Sequence, residues 1–136
     1  MRSGRRSQKI GKEGEDLAML ELRRLGYLRI FKLNEARTAG GKRIRKVPGD
    51  YSAIEAGTLR AVLVEVKATE SDRIIFSRLE KHQVQELNDH TAIGAPGLLV
   101  LVFKDSVHVL SWPILGFTRG TSIVNKNGSI YLRGEA

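Results

Sequence analysis

A mixed β-sheet flanked by helices, an α/β or α+β sandwich, is the fold class predicted by this sequence. Two segments carry apolar residues at helical spacing, and several shorter ones are β-branched or alternate between apolar and polar. Their order, α-β-β-β-α-β-β, suits a sheet covered by helices. The first helix is predicted over 11–25, with Leu17, Ala18, Leu22 and Leu25 on its apolar stripe and Gly26 closing it. A strand follows over 27–33. Residues 34–47 form a basic loop tipped by Gly40 and Gly41. Segments 50–55 and 59–67 make a hairpin through Ala56, Gly57 and Thr58, and the second of them is apolar enough for a central strand covered on both faces. The second helix is predicted over 77–90. Segments 98–103 and 107–112 pair around Lys104-Asp105-Ser106, Pro113 can start a short helical turn, and Asn127-Gly128 marks a hairpin between 123–124 and 130–132.

At 136 residues the chain is read as one domain over 10–136, preceded by a flexible basic arm over 1–9 and carrying a mobile basic loop at about 36–47. No repeat or low-complexity tract divides it. No apolar run approaches the roughly 18–20 residues of a membrane span, so a cytoplasmic location without membrane contact is expected. Without cysteine there is neither a disulfide nor a thiolate metal site, and His82, His90 and His108 match no zinc spacing. Any metal must therefore be held by oxygen.

The net charge is +8 and the isoelectric point is about 10.1. Ten of the 23 basic residues fall in two segments: Arg2, Arg5, Arg6, Lys9 and Lys12, then Arg37, Lys42, Arg43, Arg45 and Lys46. Arms and loops of this kind suit the phosphate backbone of nucleic acid, although charge runs are more often simply solvated.

Chemistry concentrates in three places. Gly11-Lys12-Glu13-Gly14-Glu15 opens the first helix, Pro48-Gly49-Asp50 follows the basic loop, and Glu65-Val66-Lys67 ends the apolar strand. Side chains alternate along a strand, so Glu65 and Lys67 share one face while Val64 and Val66 take the other. Asp50 arrives beside them across the hairpin. Asp50 and Glu65, helped by the Val66 carbonyl, can hold Mg²⁺, with Mn²⁺ as a substitute. Lys67 can orient a water and stabilise charge on phosphorus, and Glu15 can hold a second ion or its water shell. That constellation reads as a nuclease site.

Each residue also has a structural explanation. Glu15 can serve the helix dipole, Asp50 can be a turn residue, and Glu65 with Lys67 can be an ion pair. Gln83 shares a stripe with Leu79 and Leu87, so its amide needs polar partners near the core. It can satisfy backbone after Lys67 or reach the metal site through water. Lys81 and His82 lie off that stripe and face solvent or DNA.

Glu15, Pro48-Gly49-Asp50, Glu65-Val66-Lys67 and the Lys81-His82-Gln83 helix resemble the PD-(D/E)xK nuclease superfamily, and most of all its cellular and phage Holliday-junction resolvases. The likeness runs from about Ile10 to Trp112. It implies a restriction-endonuclease-like fold and an active site of Glu15, Asp50, Glu65 and Lys67, with Gln83 close by. It also implies a Mg²⁺-dependent homodimer that cuts four-way DNA symmetrically and leaves 5′-phosphates. Gly49 stands where the motif has aspartate directly after proline. A small bacterial branch of the superfamily shares the same pattern, and other endonucleases, exonucleases and non-catalytic DNA binders of this fold are the rival readings.

Overall fold

Nearly every segment singled out by periodicity becomes an element in the computed structural model, which describes residues 2–33 and 50–134, with side chains from residue 9 onward. Helix α1 (Arg2–Arg24) leads to strand β1 (Leu28–Lys32), then β2 (Tyr51–Ile54) and β3 (Ala61–Ala68). Strand β4 (Arg73–Ile75) and a 3-10 turn (Phe76–Arg78) precede helix α2 (Lys81–Ala92). Strands β5 (Gly97–Val102), β6 (Val107–Trp112), β7 (Thr121–Lys126) and β8 (Ser129–Gly134) complete the chain. None of the described helices is long and apolar enough to cross a membrane.

The main sheet has the order β1-β2-β3-β5-β6, and a three-stranded sheet has the order β4-β7-β8. Among the described residues only β3 and β5 run parallel, Leu63 opposite Gly97 through Ala68 opposite Val102; every other pairing is antiparallel. The parallel pair arises because α2 carries the chain back across the sheet, as a crossover must. Helices cover both faces. Val62, Val64 and Val66 of β3 pack with Ala18 and Leu22 of α1, whereas Leu63 packs with Leu87 of α2 and Ile123 of β7. The period-two alternation of β3 thus feeds two cores. Complete burial of Leu22 and Leu87 contributes roughly 1.5–3 kcal/mol each.

Boundaries differ from the sequence reading at definite points. Helix α1 begins at Arg2 rather than at residue 11, since the Arg-, Gln- and Lys-containing segment ahead of Gly11 has good intrinsic helicity even without an apolar stripe. The second helix is split: a 3-10 turn ends at Arg78, Leu79 and Glu80 are extended, and α2 starts at Lys81. Glu80 caps α2, its backbone N–H donating to Gln83 Oε1 at 2.8 Å. Strand β4, three residues long, is too short for periodicity to reveal, although Ile74 is buried. Pro113 starts no helix; the segment makes a single closing bond, Phe117 N to Ile114 O at 3.1 Å. The Asn127-Gly128 hairpin forms as expected, with both residues at positive φ as a type I′ turn requires.

Gly14 sets how closely α1 approaches the sheet. A Cβ there would collide with Ala68 Cβ and sit 3.8 Å from Val102 Cβ. The helix therefore lies directly on the ends of β3 and β5. Gly14→Ala should destabilise the fold by about 1–3 kcal/mol in urea titration through overpacking, outweighing the ~1 kcal/mol that alanine ordinarily gains over glycine in a helix. Adding Ala68→Gly should recover most of that loss, and a stabilising Gly14→Ala alone would disprove the close approach.

Candidate active site

The middle of α1 and the ends of β1, β2, β3 and α2 surround a cleft of about 990 Å³ whose lining includes Lys12, Glu15, Lys32, Asp50, Glu65, Lys67, Arg78 and Gln83. Asp50 enters it because β2 stops short. Tyr51 is the last residue of β2 paired with β3, opposite Val64, so the Val66 N–H lies beyond the reach of a β2 backbone carbonyl. The Asp50 carboxylate takes that place, accepting from Val66 N at 2.8 Å. The Asp50 backbone is fixed on both sides, donating to Val64 O and accepting from Leu33 N, each at 2.9 Å.

Glu65 lies one residue along β3, on the face that looks toward α2. Its side chain is only 1% exposed. Gln83 Nε2 donates to Oε1 at 2.6 Å, and Lys67 Nζ is 3.6 Å from the same oxygen. Gln83 thus joins Glu65 directly instead of through water, while its own carbonyl oxygen caps α2. Glu65 Oε2 is buried and has no hydrogen-bond partner among the described residues. Burial, and then the negative charge of Asp50, push the Glu65 carboxyl up to about 8 against the opposing pull of Lys67.

Glu15 reaches the same cleft from α1, but its partner is Lys32: Nζ to Oε2 is 3.4 Å. Tyr51 is nearly buried beside it, and its phenol is pushed up to about 12 by burial and by the charges of Glu15 and Asp50. The structure therefore brings Asp50, Glu65, Lys67 and Gln83 together and ties Glu15 to a lysine at the cleft's other side. Among the described residues no three His, Cys, Asp or Glu side chains converge as a ready cage for a metal. The Asp50–Glu65 pair, with one orphaned buried oxygen, fits an oxygen-preferring divalent ion whose remaining ligands are water and substrate.

Lys32, Tyr51 and Arg78 escape the sequence reading. Lys32 ends β1 opposite Tyr51, and Arg78 is held by donating to Ala68 O at 3.1 Å. Lys32 could have been found from its position at a strand end next to the basic loop; Arg78 lies in an irregular turn with no pattern to expose it. Of the expected DNA-contacting residues, Lys12 lines the cleft, Lys9 is exposed, and Lys81 is exposed beside a second cleft. His82 is half-buried, 3.2 Å from Glu80 Oε2, rather than open to solvent. Arg37, Lys42, Arg43, Arg45, Lys46 and the Pro48-Gly49 dipeptide lie outside the described residues, as do the side chains of Arg2, Arg5 and Arg6.

No model of a known protein family matches the chain, and no curated protein matches it. Among solved structures it is similar to Hjc from Archaeoglobus fulgidus, a Holliday junction resolvase of an archaeal hyperthermophile. The TM-score is 0.52 with 18% sequence identity, covering 73% of this chain and 74% of that one. The likeness is one of fold.

The raised Glu65 carboxyl links stability to pH. Its folded-state value lies above the ordinary 4.5, so the folded chain keeps a proton that the unfolded chain releases. Stability must then decline as pH rises from about 4.5 to about 8, by up to ~1.4 kcal/mol per unit. In thermal melts with EDTA, Glu65→Gln should flatten this decline relative to wild type. Parallel curves for the two proteins would show a solvated Glu65.

Proposed function

We propose that this chain is a metal-dependent endodeoxyribonuclease that resolves four-way DNA junctions. The observation that carries the reading is the convergence of Asp50, Glu65 and Lys67 in one cleft, with an unpartnered carboxylate oxygen of Glu65 buried there. Two acids and a lysine at the end of adjacent strands are a natural apparatus for phosphodiester hydrolysis. The fold likeness to a solved resolvase supports the same reading.

Asp50, Glu65 and the Val66 carbonyl would hold Mg²⁺. Bound there, the ion polarises a non-bridging phosphate oxygen and makes water more acidic. Gln83 keeps Glu65 in one orientation, and burial prevents that carboxylate from turning to solvent. Lys67 positions the attacking water and offsets the charge gathering on the phosphate oxygens. In-line attack breaks the bond to the 3′ oxygen and leaves a 5′-phosphate. Glu15, paired with Lys32, orders the water shell and keeps that lysine turned toward incoming phosphate.

Lys12, Lys32 and Arg78 bring positive charge to the cleft without contacting bases, so recognition follows branch shape more than sequence. The basic residues over 2–9 and 37–46 would add phosphate contacts of the same sequence-independent kind. A four-way junction has near two-fold symmetry, and a C2 homodimer matches it by presenting one cleft to each of two opposing strands.

The decisive assay compares four-way, flapped, nicked and linear DNA in Mg²⁺ and in EDTA. Paired symmetric nicks in the junction are expected only with the metal, and linear duplex should survive. Asp50→Asn or Glu65→Gln should lower cleavage at least about a hundredfold. DNA binding in EDTA should hold for Glu65→Gln, whose parent carboxyl is already protonated there, and hold or tighten for Asp50→Asn, which removes negative charge near phosphate. Lys67→Ala should lose most activity. Wild-type cutting by either carboxylate variant would refute the assignment, and equal degradation of linear DNA would leave a general nuclease.

Neutralising Arg43, Arg45 and Lys46 together should weaken binding to every DNA shape. The salt slope should fall by about 0.9 for each phosphate that is no longer neutralised. An unchanged slope would make those charges solvated bystanders.

A further inference from the structure

The 3-10 turn and the first turn of α2 form a wall with a cavity on each side. Arg78 and Gln83 belong to the cleft described above, whereas Phe76, Leu79, Lys81 and Val84 line a second cleft of about 750 Å³ that Arg119 bounds from the far side, just ahead of β7. Leu79 is buried, Phe76 and Val84 are half-buried, and Phe76 is braced edge-to-face by Phe117 with ring centroids 5.1 Å apart. Lys81 and Arg119 are exposed at the rim, and no acidic side chain among the described residues lines the cavity.

We propose that this second cleft holds one unpaired nucleotide of a branched DNA, its base against Phe76, Leu79 and Val84 and its phosphate against Lys81 and Arg119. The floor offers what a base face requires, a rigid apolar surface with an aromatic ring, and the rim offers what a phosphate requires. The volume lies in the range of sites that enclose a small ligand. The cavity opens beside the first turn of α2, whose backbone dipole adds positive potential to that of Lys81. A stacked base pair cannot enter such a cleft, since both faces of each base are already covered by its neighbours. The wall then stands where a scissile strand and an unpaired nucleotide separate. Branched DNA is selected over linear duplex where a base pair at the branch point opens and frees one nucleotide for the cleft, and this use of the cleft rests on the nuclease reading above.

The test measures binding in EDTA, apart from cutting. The probes are a fluorescein-labelled oligothymidylate of roughly ten nucleotides, the same oligomer with abasic sites, and a blunt duplex. By anisotropy, wild type should bind the abasic oligomer at least about fivefold more weakly than oligothymidylate. Arg119→Ala should weaken oligothymidylate about five- to tenfold and lower its salt slope by about 0.7, with duplex affinity changing less than about twofold. Thymidine monophosphate should compete. Equal affinity for the two oligomers, an equal loss for duplex and single strand, or competition by an acidic phenylalanine-containing peptide but not by the nucleotide would overturn the proposal. Should the chain cut no DNA in Mg²⁺ yet bind as expected here, the nuclease reading falls and the nucleotide cleft stands.

Discussion

Everything around the cleft depends on β3 having no free side. The strand is hydrogen-bonded to β2 on one edge and to β5 on the other, with helices on both faces. A carboxylate placed near the end of such a strand is largely cut off from bulk water and meets it only through the cleft. Burying Glu65 is costly unless other groups take over its hydration, and each partner it has acquired imposes a further requirement. Gln83 must point inward, so α2 must begin at Lys81. Lys67 must lie back along its own strand.

The result is a site held in tension. Lys67 compensates Glu65 in part, Asp50 works against it, and one oxygen has nothing to bind among the described residues. A buried charged group of this kind is often no more stabilising than a well-packed apolar residue of similar volume. On the opposite side, the Glu15–Lys32 pair and Tyr51 form a separate, more neutral grouping, so the two halves of the cleft differ in what they offer a substrate.

How much of this is legible in the sequence depends on whether a feature is periodic. The covered strand and its two-sided packing follow from an unbroken apolar run, the shared face of Glu65 and Lys67 follows from alternation, and the structure bears them out. The pairing of Asp50 with that strand follows from hairpin length. Gln83 is flagged because an amide on a leucine stripe needs a partner. What periodicity cannot reveal is local geometry: the interrupted start of α2, the three-residue β4, the capture of Val66 N by a side chain, and the diversion of Glu15 to Lys32. Apart from the local Glu80–Gln83 cap at the start of α2, those arise from interactions between segments well separated in sequence. The sequence says which groups meet more readily than how each is oriented.

The pairing of β4 with β7 carries a consequence for the order in which the molecule can assemble. Strand β4 lies in the connection between Lys67 and Gln83, and its hydrogen-bonded neighbour in the sheet is β7, reached only after Trp112. Asn125 N extends the same junction by donating to Asp72 O at 2.7 Å. Vectorial synthesis therefore delivers every charged group of the cleft before the strand that braces the connection between them. A chain still emerging from the ribosome has the chemistry of the site but not its geometry. The bracing of that connection arrives with β7, so a strand made late holds in place residues translated long before it.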